Sequence, residues 1–226
     1  DMETQVVIMA GGIGSRFWPM STPEVPKQFI DVLGTGRTMI QMTYDRFCKG
    51  EGALCKPQNV WIVTSEKYVD LVRGQLPEVP EANILPEPAS RNTAPCIAYA
   101  CWKIARVNPD SNIVVSPADA FVLDSAEYRR VIGTALSLTA SSTRIFTVGI
   151  KPLRPETGYG YIETGEALGE EAFKVTAFKE KPDAPTAAKY IRDGRYLWNA
   201  GIFVWKLSTI TAALREYAPG ICAIMD

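Results

Sequence analysis

Apolar and polar positions along this chain alternate between two spacings, and the changes of spacing mark out its elements. Residues 6–9, Val-Val-Ile-Met, form an unbroken apolar run closed by glycines, which predicts a buried strand, parallel to its neighbours, that stops at a loop. Met39, Ile40, Thr43, Tyr44 and Phe47 then fall on one helical face. Residues 60–64 predict a second strand. A helix with Tyr68, Leu71, Val72, Gln75 and Leu76 at helical spacing follows and is stopped by Pro77. After a short extended piece at 83–88, Thr93 is expected to cap a helix that tolerates Pro95 in its first turn and runs through Trp102. Residues 113–116 predict a strand. Asp124 and Glu127 form a capping pair for a helix whose apolar stripe is Tyr128, Val131, Ile132, Ala135, Leu136 and Thr139. Residues 145–150 are the next strand.

Strand and helix alternate up to Ile150, which predicts an α/β fold with a parallel sheet and helices on both faces. Ligands of such sheets gather at the carboxyl ends of the strands. The loop after Met9 and Asp119 after Ser116 both fall at such ends, on one rim. Beyond Ile150 the pattern changes. Two extended segments, 156–163 and 174–182, a short helix at 186–193, a strand at 197–205 and a final helix carrying Ile210, Ala213, Leu214 and Tyr217 complete the chain. Glycines, aromatic residues and polar tips are denser here, a mixture that suits a sugar-sized ligand. The expected organisation is one domain, 1–226, with a nucleotide-binding half at 1–150 and a sugar-binding half at 151–226.

Composition narrows the chemistry. A chain of 226 residues can bury one substantial core, and its net charge of −1 argues against a nucleic-acid surface. An anionic ligand must therefore be held by local charge. No apolar run is long enough to span a membrane, and the early glycines argue against a signal peptide. Cys48, Cys55, Cys96, Cys101 and Cys222 are odd in number and lack paired metal spacing, so they are expected as small core residues in a reducing cytoplasm. The chain has no histidine. That removes Ser-His-Asp and Cys-His catalysis and histidine zinc sites, leaving carboxylates, lysines, arginines, backbone dipoles or a hard metal. Phosphoryl or nucleotidyl transfer fits this set, because positioning and charge neutralisation carry most of its catalysis.

The loop after the first strand fits the same chemistry. Gly11, Gly12, Gly14 and Ser15 let backbone N–H groups approach an anion closely, and Arg16 and Lys27 add two cations. The loop is neither of two common phosphate cradles. Phe17 stands where a dinucleotide fingerprint needs its third glycine, and no Gly-Lys-Ser/Thr ends this loop or the segment 34–38. The plain alternative is a tight turn with surface charges. Asp119 is a candidate metal ligand or a turn aspartate after Pro117. Glu180 is a candidate partner for a sugar hydroxyl or a solvated strand end. Asn199 is a ligand amide or a turn residue, and Arg91, Asn92 and Thr93 are donors to a base or a helix cap.

Together these residues resemble the nucleotide-sugar pyrophosphorylase superfamily, and most closely its mannose-1-phosphate guanylyltransferases. Residues 11–19, Gly-Gly-Ile-Gly-Ser-Arg-Phe-Trp-Pro, with Pro26-Lys27-Gln28-Phe29, are similar to that family's signature loop. The segments 87–95, 117–119, 156–162, 178–182 and 198–203 match in order, so the likeness spans nearly the whole chain. The resemblance implies a GT-A-like nucleotidyltransferase architecture, with a Rossmann-like, mostly parallel sheet and an added β-rich sugar-binding subregion. It implies transfer of GMP from GTP to mannose 1-phosphate, giving GDP-mannose and pyrophosphate, by Mg²⁺-assisted in-line attack on the α-phosphate. Arg16, Lys27 and Asp119 are the implied catalytic residues, with Asp119 holding the metal. Ala10, Gly11, Gly12, Gly14, Ser15, Arg16, Asn92 and Thr93 are implied to line the nucleotide, and Gly158, Glu180 and Asn199 the mannose. A homodimer is compatible with the likeness, and neither nucleic acid nor membrane is an expected partner. Two rival readings are a relative using another nucleotide or sugar, and a non-catalytic nucleotide-sugar sensor. The chain departs from the pattern at Ala120, where the family usually has histidine. The family's catalytic domain also continues further and supplies a second acidic ligand, so the expectation is a truncated domain.

Overall fold

The computed structural model describes residues 2–11, 24–87, 93–120, 122 and 124–217. Their contacts gather into two compact units: Asp1–Phe146 with Phe203–Asp226, and Thr147–Ile202. The expected nucleotide-binding and sugar-binding halves are a functional division and remain a proposal.

In the first unit, β1 (Glu3–Ala10) lies parallel between β2 (Val60–Ser65) and β4 (Ser111–Pro117), and β3 (Ile84–Glu87) extends the sheet beyond β2. Val6 faces both Val60 and Val114, and Val7 faces both Trp61 and Val115. A strand in this position is covered on both faces, which is why residues 6–8 read as an unbroken apolar run and are wholly buried. Residues 203–206 of β8 (Tyr196–Lys206) add an antiparallel strand along β4, with Val114 opposite Val204.

Helices cover both faces, as expected. On one face, Ala100, Cys101 and Ile104 of α3 (Thr93–Val107) and Leu207 of α6 (Leu207–Tyr217) pack with Val7, Val63, Val115 and Trp205. On the other lie α1 (Met39–Cys48), α2 (Val69–Gln75) and α4 (Ser125–Ala140). There Asn112 of β4 donates to Leu136 O and accepts from Thr139 Oγ1 of α4. The stripe expected on α1 is buried, with Arg46 added to it. A reciprocal capping box starts α1: Gln41 N donates to Thr38 Oγ1, and Thr38 N donates to Gln41 Oε1. At the start of α4, Asp124 accepts from Glu127 N as expected. Thr93, the expected cap of α3, is the first residue of the helix as described. The position before it, Asn92, lies outside the described residues.

In the second unit, β6 (Tyr161–Ala167) pairs antiparallel with β7 (Phe173–Lys179) and with residues 196–198 of β8. Alternation with helices placed the strand at 145–150 in the parallel set, but β5 (Phe146–Ile150) pairs with β8. The edge of β4 it would have joined is taken by β8. Residues 156–160, expected as extended, form a loop in which Gly158 N donates to Glu156 Oε1. α5 (Ala184–Asp193) begins where Asp183 accepts from Thr186 N and ends at Gly194, whose φ of 84° suits glycine. Its Ala187 packs with Tyr161 and Trp198, and the Tyr190 and Tyr196 rings stack at 4.0 Å.

Two glycines should answer the same substitution with opposite signs. A Cβ at Gly149 would lie 2.5 Å from Leu197 Cδ1 and 2.9 Å from its Cβ, so Gly149→Ala should destabilise the fold by about 1–3 kcal/mol. At Gly74, in α2, a Cβ meets nothing within 4 Å, and Gly74→Ala should stabilise by about 0.5–1 kcal/mol. Urea unfolding of the two variants checks both, and a shared sign would refute the packing argument.

Candidate functional site

The carboxyl ends of β1 and β4 bring together two residues far apart in the chain. Pro26, with φ −63°, leads into a single 3₁₀ turn, Lys27–Phe29. Contacts from β1, from α2 and from the turn that precedes α2 fasten this turn. Phe29 packs its ring on Tyr68 at 5.6 Å, and buried Gln28 donates from Nε2 to Ala10 O at 3.3 Å. Thr64 Oγ1 donates to the same carbonyl at 3.0 Å, so the last oxygen of β1 is held by two side chains, one from β2 and one from the turn. Beyond β4, Ala118 N donates to Met9 O at 3.0 Å and carries the strand's direction one residue further. The result is an ion pair, Lys27 Nζ to Asp119 Oδ2 at 2.5 Å, with side chains 14% and 33% exposed. A cation and a carboxylate both expected to be catalytic thus meet at the sheet's rim.

The other nucleotide-side residues divide. Ala10 is buried at the end of β1, and Gly11 follows it; a Cβ there would lie 3.5 Å from Glu87 Oε2. A carboxylate therefore stands beside the start of the glycine loop. Burial, and a hydrogen bond to Glu87, push the Cys96 thiol up to about 11, so it stays protonated as a donor to that carboxylate. Thr93 is exposed at the start of α3. Gly12, Gly14, Ser15, Arg16 and Asn92 lie outside the described residues.

In the second unit the three sugar-side candidates share one neighbourhood. Asn199 N donates to Gly160 O at 2.9 Å, two residues from Gly158. A Cβ at Gly160 would come 3.2 Å from Lys179 O, so the loop closes on the end of β7 just before Glu180, which is exposed. Asn199 Oδ1 accepts from Gly201 N within β8, so the residue stands in a strand and not in the turn weighed for it. Gly158 N and then Arg154 hold the Glu156 carboxyl below the ordinary carboxylate range. Tyr159 meets Trp198 edge to face at 5.3 Å, and the Arg154 guanidinium lies over the Trp198 ring at 5.6 Å. An aromatic wall beside amide and carboxylate groups is a surface that can hold a sugar by stacking and hydrogen bonds.

The residues that support the first site have no role assigned from the sequence, although Gln28 stands in the signature loop. Gln28 and Thr64 serve through their geometry at the end of β1, which no spacing reveals. Arg46 did leave a signal: it sits three residues after Thr43 and seven after Met39, so it is a charge inside an otherwise apolar stripe.

Asp119 suits a hard cation. Mg²⁺ is typically bound by one or two carboxylates and completes its shell with phosphate and water oxygens. Among the described residues, no group of three or more carboxylate or thiol side chains could hold a metal unaided. A cation bound at Asp119 would take the rest of its shell from other oxygens, such as those of phosphate and water. Among the described residues, no helix is long and apolar enough to cross a membrane.

Comparison with known proteins gives a consistent picture. A family model described as nucleotidyl transferase matches residues 5–225. The chain is 39% identical over 223 residues to a mannose-1-phosphate guanylyltransferase of Escherichia coli K12, covering 95% of this chain and 45% of that protein. It is 37% identical over 217 residues to the xanthan biosynthesis protein XanB of Xanthomonas campestris pv. campestris strain B100, covering 95% and 44%. The chain thus spans a little under half the length of these relatives. Among solved structures it is similar to one named mannose-1-phosphate geranyltransferase from Thermus thermophilus, with a TM-score of 0.85 and 31% identity over 99% of this chain and 63% of that one. A histidine-free α/β chain whose parallel strands end on a paired lysine and aspartate, matched along almost its full length, belongs to the nucleotidyl transferase family.

Proposed function

We propose that this chain carries the nucleotidyl-transfer site of a mannose-1-phosphate guanylyltransferase, moving GMP from GTP to mannose 1-phosphate and releasing pyrophosphate. The Lys27–Asp119 ion pair at the rim of the parallel sheet is the observation that carries the reading. It supplies a cation for phosphate oxygens beside a hard anionic ligand, at the strand ends where such sheets take their ligands.

The residues then take the following roles. Arg16 and Lys27 neutralise the triphosphate and the sugar phosphate, which lowers the repulsion that opposes attack on the α-phosphorus. Asp119 would hold Mg²⁺, which supplies further charge neutralisation at the phosphates. Ala10, Gly11, Gly12, Gly14, Ser15, Asn92 and Thr93 line the nucleotide, and Gly158, Glu180 and Asn199 the mannose. No general base is required, because a phosphate monoester with a second pKa of about 6 is already a dianion at neutral pH. The absence of histidine is consistent with such chemistry. In this reading the first half of the chain is the nucleotide side and the second the sugar side of one catalytic domain, working in the cytoplasm.

The test is pyrophosphate release by the full-length protein with GTP, mannose 1-phosphate and Mg²⁺. Release is expected, with Arg16→Ala lowering turnover by about 10²–10³-fold and leaving stability nearly unchanged. Faster turnover with UTP or dTTP would assign another nucleotide. Tight GDP-mannose binding with no turnover under saturating substrates would make the protein a sensor.

A further inference from the structure

We propose that Arg46, assisted by Thr43, is a positioning residue that aims the Asp119 carboxylate by gripping the backbone on both sides of it. The proposal rests on the reading of Asp119 as a site residue. Both grips come from α1. Thr43 Oγ1 shares its one proton between Ala118 O and Met39 O of its own helix, both at 3.0 Å, and Arg46 Nη1 donates to Ala120 O at 2.8 Å. Spaced three residues apart, the two side chains leave the helix on one face and straddle Asp119. With Ala118 N already bonded to Met9 O, the aspartate's backbone is tied at three points while its carboxylate stays partly exposed. At position 120 the contact is made by a carbonyl, which any residue offers, so alanine serves there.

The burial of Arg46 supports a role beyond packing. Arg46 is 8% exposed and, among the described residues, makes no ion pair with a carboxylate. Its guanidinium meets the Ala120 carbonyl and has the Tyr128 ring at 5.9 Å, while the Asp45 carboxylate acts on it without direct contact. Burying a guanidinium that no carboxylate contacts among the described residues is unfavourable, and an apolar residue would complete the stripe of α1 without that penalty. What the arginine adds is a long, rigid fork that reaches a loop carbonyl.

The grip requires a fixed helix, and α1 is fixed at the end nearest to Arg46. The Arg129 guanidinium of α4 donates to Asp45 O at 3.0 Å, to Arg46 O at 2.7 Å, to Glu51 O at 2.9 Å and to Lys49 O. Of these, Arg46 O is a carbonyl that the end of a helix leaves without an intrahelical partner, while Asp45 O also accepts from Lys49 N. Support runs from α4 through α1 to the loop that carries Asp119. A misplacement of about 1 Å at a reacting group can reduce a rate by about 10²-fold, so such bracing has a measurable value.

The experiment compares Arg46→Met and Thr43→Val, alone and combined with Asp119→Asn, in the full-length protein. Each single variant is expected to lower kcat by about 10–100-fold, with KM for GTP changed less than about threefold. In the Asp119→Asn background, where there is no carboxylate to aim, the same substitutions should lower kcat by less than about twofold. Undiminished loss in that background overturns the proposal. Crystal structures of the single variants give a second readout independent of turnover. Separation of Lys27 from Asp119 supports the proposal, and an unmoved pair overturns it. If the parent enzyme is silent but the pair still parts, the positioning role stands and the enzyme reading falls. Should Arg46→Met fail to fold, Thr43→Val, which keeps its shape and loses only the donor, carries both readouts.

Discussion

Asp119→Asn is expected to lower nucleotidyl transfer by about 10³-fold or more while changing unfolding free energy by no more than about 1 kcal/mol. The substitution preserves shape and removes one negative charge. In the resting protein that charge faces Lys27 at 2.5 Å on a partly exposed rim, where ion pairs contribute about 0–1 kcal/mol because water screens them. In the reaction the same carboxylate would hold the cation that neutralises phosphate oxygens, in a more enclosed setting where fixed charges are worth several kcal/mol. Lys27→Met should show the same separation of effects. If both residues act on one set of phosphates, the double variant will lose less than the product of the two single losses. Initial-rate measurements of pyrophosphate release beside urea unfolding test this. Losses of activity that track losses of stability would reduce the pair to a structural ion pair.

Phe47→Ala should produce the opposite result, a loss of about 3–5 kcal/mol in stability from a residue that touches no substrate. Phe47 is wholly buried, and its ring meets Tyr128 of α4 edge to face at 5.8 Å. Its carbonyl accepts from both Leu54 N and Cys55 N and so turns the chain at the end of α1. Removing the ring leaves a cavity between two helices that both pack on the sheet. Against a total stability of about 5–15 kcal/mol, such a loss brings the protein close to its threshold. Phe47→Leu, which fills most of the space, should lose less than about 1.5 kcal/mol. Urea midpoints that rank the two variants equally would mean that the ring contact contributes little.

The two results mark how unevenly the sequence discloses its parts. β1 was legible because a strand covered on both faces must be apolar at every position. α1 was legible because Met39, Ile40, Thr43, Tyr44 and Phe47 repeat at the spacing of one helical face. The partner of β5 was not legible. Pairing depends on β8, some fifty residues later, which occupies the edge that alternation assigned to β5. The loop at 156–160 misled for a local reason. Its alternation of glycine and tyrosine mimics a strand, but the Glu156 carboxylate captures Gly158 N and folds the segment back. At the site, Lys27 and Asp119 could each be picked by residue type and position. Their meeting depends on the parallel registry of β1 and β4, which no local pattern encodes. Arg46 shows the reverse case, a residue visible as an anomaly in its stripe whose meaning came only with the carbonyl it reaches.

The Lys27–Asp119 contact also has a kinetic side. A lysine and a carboxylate in contact present a dipole to the solvent, and the field of a dipole fades faster with distance than that of a bare charge. With a screening length of about 8 Å at physiological ionic strength, an approaching triphosphate gains little long-range guidance from this pair. Its capture is then a local exchange, in which phosphate oxygens take over the lysine at close range. As far as this pair governs association, the rate at which nucleotide arrives should vary little with ionic strength. The rate at which it leaves should carry most of the salt dependence.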